Sequence, residues 1–196
     1  MLQAVIRKGQ VTAENVPTPI VSDGTILIKV INSCISAGTE IMGVKETGKS
    51  LINRALEQPQ NVKKIIKMAK TNGIIETISN VKGKLDAGNP TGYSVSGIIV
   101  AVGNDIKDYK KGDRVAAAGA GVANHAEYVN VPKNLVMKIP ENLSFENAST
   151  VTLGGIALQG VRRANLELGE FCVVFGVGIL GLLAVQILNA KGVRVI

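Results

Sequence analysis

The sequence predicts an α/β protein in three parts: a strand-rich first part, a basic helical insertion within it, and the opening β-α-β unit of a parallel sheet. Three observations predict this. A short apolar run, Phe171–Phe175, meets Gly176-x-Gly178-x-x-Gly181, and an apolar helical pattern follows from Leu182 to Leu188. Residues 2–36 are β-rich around Ala4-Val5-Ile6 and Thr25–Ile31, with Pro17, Pro19, Asp23 and Gly24 marking turns. Residues 45–86 then change to a helical period.

In the insertion Asn61 is a good N-cap. Val62, Ile65, Ile66 and Ala69 repeat at i, i+3, i+4 and i+7, while Lys63, Lys64, Lys67 and Lys70 face outward. Asn72-Gly73 supplies the stop, and Ile74, Ile75, Ile78 and Val81 form a second apolar stripe. Strands resume over Val95–Val102. Gly112-Asp113 turns into a strand of alanines, and a strand over Ala126–Val131 closes at Pro132. Ser144 is placed to cap a helix running through Thr150, and residues 153–164 read as a further helix ending near Arg162-Arg163. Lys191–Ile196 reads as the start of a second parallel strand.

The 196 residues are 46% hydrophobic and 19% charged, enough for a sizeable core and not the signature of a disordered chain. The N-terminus lacks a long apolar region behind positive charge, so no secretory signal is expected. Cys34 and Cys172 are far apart and form no CxxC or Cys/His cluster. They read as buried free thiols of a cytoplasmic protein. Of the net charge of +7, the stretch Lys45–Asp86 carries nine Lys/Arg against four Asp/Glu. This basic charge reads chiefly as a solvated helix face. An anionic partner for these helices is the alternative, but no aromatic residues interleave with the lysines, and nucleic acid is not an expected partner. Phe171–Ala190 carries no charge and approaches the length of a membrane span. The three spaced glycines, with Gln186 and Asn189 inside the helix, favour a soluble fold, and no membrane partner is expected.

Strand, glycine turn and helix in that order are what a dinucleotide pyrophosphate requires. Gly176 allows the tight turn, Gly178 lets the backbone approach the phosphates, and Gly181 lets helix and strand pack closely. Gly176, Gly178, Ile179, Leu180 and Gly181 are therefore the candidate cofactor-binding residues, with NAD or NADP as the cofactor. The acidic residue that selects the ribose is expected ~20 residues beyond the motif. That lies past Ile196, so the choice between NAD and NADP is open.

Several segments, in order, resemble the medium-chain dehydrogenase/reductases, the zinc-type alcohol dehydrogenase superfamily. They are Gly38-Thr39-Glu40, Gly92-Tyr93-Ser94-Val95-Ser96-Gly97, Val102-Gly103, Lys111-Gly112-Asp113-Arg114-Val115, Ala126-Glu127-Tyr128-Val129 and the glycine motif. The insertion, Gly-Tyr-Ser and Gly154–Arg163 look more like a subgroup of bacterial and archaeal oxidoreductases encoded near polysaccharide biosynthesis genes. The resemblance implies a GroES-like barrel domain over residues 1–150, with the 45–86 insertion, and the start of a Rossmann domain over 151–196. It implies hydride transfer between NAD(P) and an alcohol or carbonyl substrate, with a sugar-derived substrate suggested by the subgroup.

The family's catalytic zinc is not expected here. Ala37 stands where the first ligand cysteine belongs, Gly92-Tyr93-Ser94 replaces Gly-His-Glu, and the region Thr152–Gly155 has neither Cys nor Glu. His125, the only histidine, reads as a packing or surface residue, and no metal ligand is assigned. Thr39 matches the family's proton-relay hydroxyl and Tyr93 replaces its ligand histidine, which makes these two the candidate catalytic residues. Tyr93 serving only to pack under the cofactor or substrate is the alternative, and Glu40 and Arg114 read as a pair holding loops together. A catalytically inactive nucleotide-binding scaffold is the rival function. The chain is expected to correspond to an N-terminal portion that turns over no substrate by itself and is poorly soluble or dimeric, the whole protein being a homo-oligomer.

Overall fold

A computed structural model describes residues 1–49, 88–167 and 169–196, together with Gln60, Val62, Lys67, Ala69, Thr71, Gly73, Glu76 and Gly83. In chain order the elements are β1 (Leu2–Arg7), β2 (Gln10–Asn15), β3 (Thr25–Ser33), α1 (Ala37–Gly48), β4 (Asn89–Pro90), β5 (Ser94–Val102) and β6 (Arg114–Ala118). They continue with β7 (Tyr128–Pro132), a 3₁₀ turn (Lys133–Leu135), β8 (Val136–Lys138), α2 (Phe145–Ala148), α3 (Val151–Arg163), β9 (Phe171–Cys172), α4 (Ile179–Ala190) and β10 (Arg194–Val195). These form two compact units. One holds Met1, Pro17–Ser36 and Gly92–Ile196; the other holds Leu2–Val16 and Ala37–Thr91.

The larger unit is built on an antiparallel five-stranded sheet in the order β7-β3-β5-β6-β8. Alternation decides its faces. Ile26 and Ile28 of β3, Val95 and Ile99 of β5 and Val115 and Ala117 of β6 point into one core, which Ala123, Val129 and Val131 complete. Register shifts between Leu27 and Ile28 and between Val30 and Asn32 bend the β3–β5 pair, as bulges do. On the other face Ala116, Ile139 and Ala148 form a second, smaller core with Phe145 and Val151, which seats α2. Ser144 caps α2 as the sequence suggests, accepting the Asn147 N–H at 3.1 Å. Helix α3 begins two residues earlier than expected, at Val151, and β7 begins two residues later, at Tyr128.

The C-terminal segment is the expected β-α-β unit. β9 and β10 pair in parallel, Phe171 opposite Arg194 and Cys172 opposite Val195, with α4 as the crossover. Regular strand covers only Phe171–Cys172, although Val174 N–H still bonds the Ile196 carbonyl at 2.9 Å. The uncharged stretch Phe171–Ala190 is thus split into a strand, a glycine loop and a helix of 12 residues. Among the described residues no helix is long and apolar enough to cross a membrane.

In the smaller unit β1 pairs with β2 through a two-residue turn at Lys8-Gly9 and with β4 on its other edge. Helix α1 packs on this hairpin, and the Thr47 hydroxyl accepts the Gly9 N–H at 3.2 Å. Sequence reading assigned no helix to residues 37–44. Gly38 and Gly43 are poor helix formers, and they mask it. The described residues of the insertion fit its expected pattern: Val62 and Ala69 are half-buried helical positions and Lys67 is an exposed one. Gly73 donates its N–H to the Ala69 carbonyl at 3.1 Å, a helix end where the stop was expected. The remaining expected stripe and N-cap residues of the insertion, among them Asn61, Lys63, Lys64 and Ile78, lie outside the described residues.

Candidate functional site

The glycine loop leaves β9 at Val173 and enters α4 at Gly178, which is the N-cap. Gly176 has φ +97°, a left-handed conformation that favours glycine. A Cβ on Gly181 would run into the Gly176 carbonyl oxygen, so the third glycine is required by contact between the helix and its own loop. A Cβ on Gly178, in contrast, would meet nothing within 4 Å among the described residues. The first bond of α4 runs from Leu182 N–H to the Gly178 carbonyl at 2.9 Å. The N–H groups of Ile179, Leu180 and Gly181 precede that ladder. No side chain caps the helix and no acidic residue occupies its first turn. Open space above Gly178, free N–H groups and the positive end of a helix dipole together fit a phosphate-bearing ligand.

The second sequence candidate, Tyr93, lies between Gly92 and β5. Gly92 has φ +97°, and a Cβ there would lie 2.6 Å from the His125 backbone nitrogen and 2.8 Å from its ring. His125 therefore packs flat against this glycine, a structural use in keeping with its reading as a packing residue. The Tyr93 carbonyl accepts two hydrogen bonds, from Gly119 N–H at 2.9 Å and from the Thr152 hydroxyl at 2.9 Å. Its phenol hydroxyl makes no hydrogen bond among the described residues, and the side chain is half-buried.

Two fully buried serines follow. Ser94 Oγ donates to the Ser149 carbonyl at 2.6 Å and accepts the Thr152 N–H at 3.1 Å. It thereby bridges the end of α2 and the start of α3, supplying the cap that Thr150 does not. Ser96 Oγ donates to the Phe145 carbonyl at 2.5 Å. Serine suits position 94 because the start of a helix leaves N–H groups unpaired, and a buried unpaired group costs ~1–3 kcal/mol. The Phe145 carbonyl that Ser96 reaches also accepts the Ser149 N–H at 2.9 Å. Sequence reasoning placed Ser94 and Ser96 only as part of a motif. The signal was present: hydroxyl residues at alternate positions of an otherwise apolar strand point to polar atoms waiting on one face.

Thr39 lies in the first turn of α1, in the smaller unit, and is exposed. Its neighbour Glu40 accepts a long hydrogen bond from the Thr91 hydroxyl, 3.5 Å. Tyr93 and Thr39 thus belong to different compact units. Among the described residues Arg114 forms no ion pair. Its guanidinium donates to the carbonyls of Pro140, Glu141 and Leu143 and stacks 4.6 Å from the Phe145 ring centre, tying β6 to α2. At the places the resemblance gives to zinc ligands, Ala37, Tyr93 and the region Thr152–Gly155 supply neither thiolate nor imidazole. Among the described residues no group of three His, Cys, Asp or Glu side chains is placed to hold a metal. An apolar cleft of about 330 Å³ lined by Ala116, Met137, Ile139, Leu143, Val151 and Gly154 includes neither Tyr93 nor the glycine loop.

Residues 64–141 match the alcohol dehydrogenase GroES-like domain. The chain is 34% identical over 125 residues to (R,R)-butanediol dehydrogenase of Bacillus subtilis, covering 52% of this chain and 36% of that protein. It is 35% identical over 115 residues to D-guloside 3-dehydrogenase of Escherichia coli, covering 58% of this chain and 31% of that protein. Among solved structures it superposes on a mycobacterial protein complexed with NADPH with a TM-score of 0.70 at 20% identity, over 100% of this chain and 52% of that one. The chain spans about a third of the length of these two curated relatives. Over these spans the chain is similar to alcohol dehydrogenase-type oxidoreductases, and it shares the fold of the solved structure.

Proposed function

We propose that this chain serves an NAD(P)-dependent oxidoreductase that transfers a hydride between nicotinamide and an alcohol or carbonyl carbon without a catalytic zinc. The observation that carries the reading is the glycine loop: a left-handed Gly176, a Gly181 with no room for a side chain and a Gly178 open to solvent. Residues 1–150 are the substrate-facing domain and residues 151–196 begin the dinucleotide domain. Gly176, Gly178, Ile179, Leu180 and Gly181 hold the pyrophosphate through backbone N–H groups. The bound dinucleotide supplies the hydride acceptor or donor.

Tyr93 donates a hydrogen bond to the substrate oxygen, where a zinc ion would otherwise polarise it. The support is that its backbone is fixed while its hydroxyl is free among the described residues. Thr39, exposed at the start of α1, is the second candidate for that donation. The names of the relatives favour a secondary alcohol or sugar-derived carbon as substrate. Exposed Phe171, Val173 and Phe175 favour self-association, so a homo-oligomer is the working state.

Titration of the protein with NADH and with NADPH, followed by nicotinamide fluorescence, tests the reading. Saturable binding that Gly178→Val abolishes is expected; no binding of either nucleotide overturns it. In the protein at its full coding length, Tyr93→Phe is expected to lower turnover by about a hundredfold at unchanged nucleotide affinity. Unchanged turnover removes Tyr93 and leaves Thr39. The second reading, a nucleotide-binding scaffold without chemistry, rests on the missing ligand side chains at positions 37 and 93 and over Thr152–Gly155. It expects binding with no turnover across a panel of alcohols and carbonyls.

A further inference from the structure

We infer that Thr152 is a positioning residue for Tyr93, and that its hydroxyl, together with Ser94, clasps the Tyr93 segment to the first turn of α3. The inference rests on the proposed role of Tyr93 at the substrate oxygen. The clasp has two points, and they run in opposite directions. The Thr152 side chain donates to the Tyr93 backbone at 2.9 Å, and the Thr152 backbone donates to the Ser94 side chain at 3.1 Å. Consecutive residues of β5 and its approach are thus bound to both ends of one helical residue.

The rest of the segment leaves little other freedom. Gly119 N–H takes the second lone pair of the Tyr93 carbonyl, and His125 closes the space over Gly92. Ser94 carries no exposed surface and is tied to Ser149 besides Thr152. A peptide held at its carbonyl by two donors cannot rotate without breaking one of them. The only rotors left to Tyr93 are those of its side chain, whose hydroxyl takes no partner among the described residues. Of the two donors, the Gly119 N–H is backbone and any residue would provide it. The Thr152 hydroxyl is supplied by side-chain chemistry alone, and of the ordinary side chains only serine would reproduce it at that reach.

Fluorine NMR of protein labelled with 3-fluorotyrosine reads this directly. The chain has three tyrosines, Tyr93, Tyr109 and Tyr128, so three resonances are expected, and Tyr93→Phe identifies the first by its loss. Thr152→Val keeps the shape of the side chain and removes the donor. It is expected to shift or split the Tyr93 resonance while the Tyr109 and Tyr128 resonances stay in place, and Thr152→Ser is expected to restore the wild-type line. Thr152→Ala replaces valine in the comparison if the valine variant does not fold. A Tyr93 resonance unmoved by loss of the hydroxyl overturns the inference. So does equal movement of all three lines, which marks a general loosening. Nucleotide titration of the same samples separates the two claims. Absence of NADH and NADPH binding in the wild-type protein sinks the proposed function, whereas the fluorine spectra judge Thr152 by themselves.

Discussion

At Gly92 there is no space for a side chain, and after it the Tyr93 carbonyl is tied down by Gly119 and Thr152 and the Ser94 hydroxyl by Ser149. At Gly178 a side chain would meet nothing within 4 Å among the described residues, and the N–H groups that follow are untied. The two segments use glycine for opposite ends. At the first, the missing side chain lets the backbone pack against His125. The second clears away side chains so that backbone itself is presented. Substitution should therefore separate them: stability falls at the first, ligand binding at the second.

The largest effect is expected from Gly92→Val. The new side chain meets His125 and must adopt a left-handed backbone, so unfolding in urea should show a loss of about 3–5 kcal/mol. A loss below about 1 kcal/mol would mean that the His125 contact yields easily, and the contrast would weaken. Gly178→Val is its counterpart. Its φ of −70° is ordinary, so stability should change by less than about 1 kcal/mol while nucleotide affinity is lost. Gly181→Ala lies between them, because its Cβ meets the Gly176 carbonyl. It should cost about 2 kcal/mol and also weaken nucleotide binding, since the loop must shift.

Ser94→Ala removes the cap of α3 and leaves the half-buried Thr152 N–H without that partner. A loss of about 1–3 kcal/mol is expected, and amide exchange at Thr152 should quicken. The smallest effect belongs to a surface turn. The Lys138 ammonium, 2.9 Å from Asp113, holds that carboxyl below the ordinary carboxylate value, and the Lys110 N–H adds to this. With a depressed folded-state pKa, its stabilisation is present above the unfolded-state pKa and fades as pH falls through the folded one. Asp113→Asn should flatten that part of the acid limb and shift Tm at pH 7 by less than about 2 °C. An effect as large as that of Ser94→Ala would show that this exposed pair matters more than its setting implies.

Patterns confined to a few neighbouring residues were legible without coordinates. The strand, glycine turn, helix and returning strand at 171–196, the Ser144 cap and the helix stop at Gly73 each depend on local backbone geometry, and each stands where it was expected. Helix α1 was missed because local propensity spoke against it. Gly38 and Gly43 weaken the helix, and packing of α1 on the β1–β2 hairpin outweighs them. Arg114 was expected in an ion pair, since its charge is visible in sequence. The three carbonyls it serves are backbone groups whose availability depends on how the chain turns at 140–143.

What the sequence by itself determined is the set of segments: an α/β chain whose last part runs strand, glycine turn, helix and returning strand. Spacing and residue type suffice for these, because a turn or a helix start is closed within a few residues. What only the tertiary structure decided is which hydroxyl is free and which is occupied. Thr152, Ser94 and Ser96 all carry hydroxyls near Tyr93 in sequence or in space, and all three are engaged with backbone groups, while that of Tyr93 takes no partner among the described residues. The partners of Ser94 lie 55 and 58 positions away along the chain, and no local pattern reaches so far. Hydrogen bonding between distant segments is fixed by how strands and helices stack, and that stacking is a property of the folded chain as a whole.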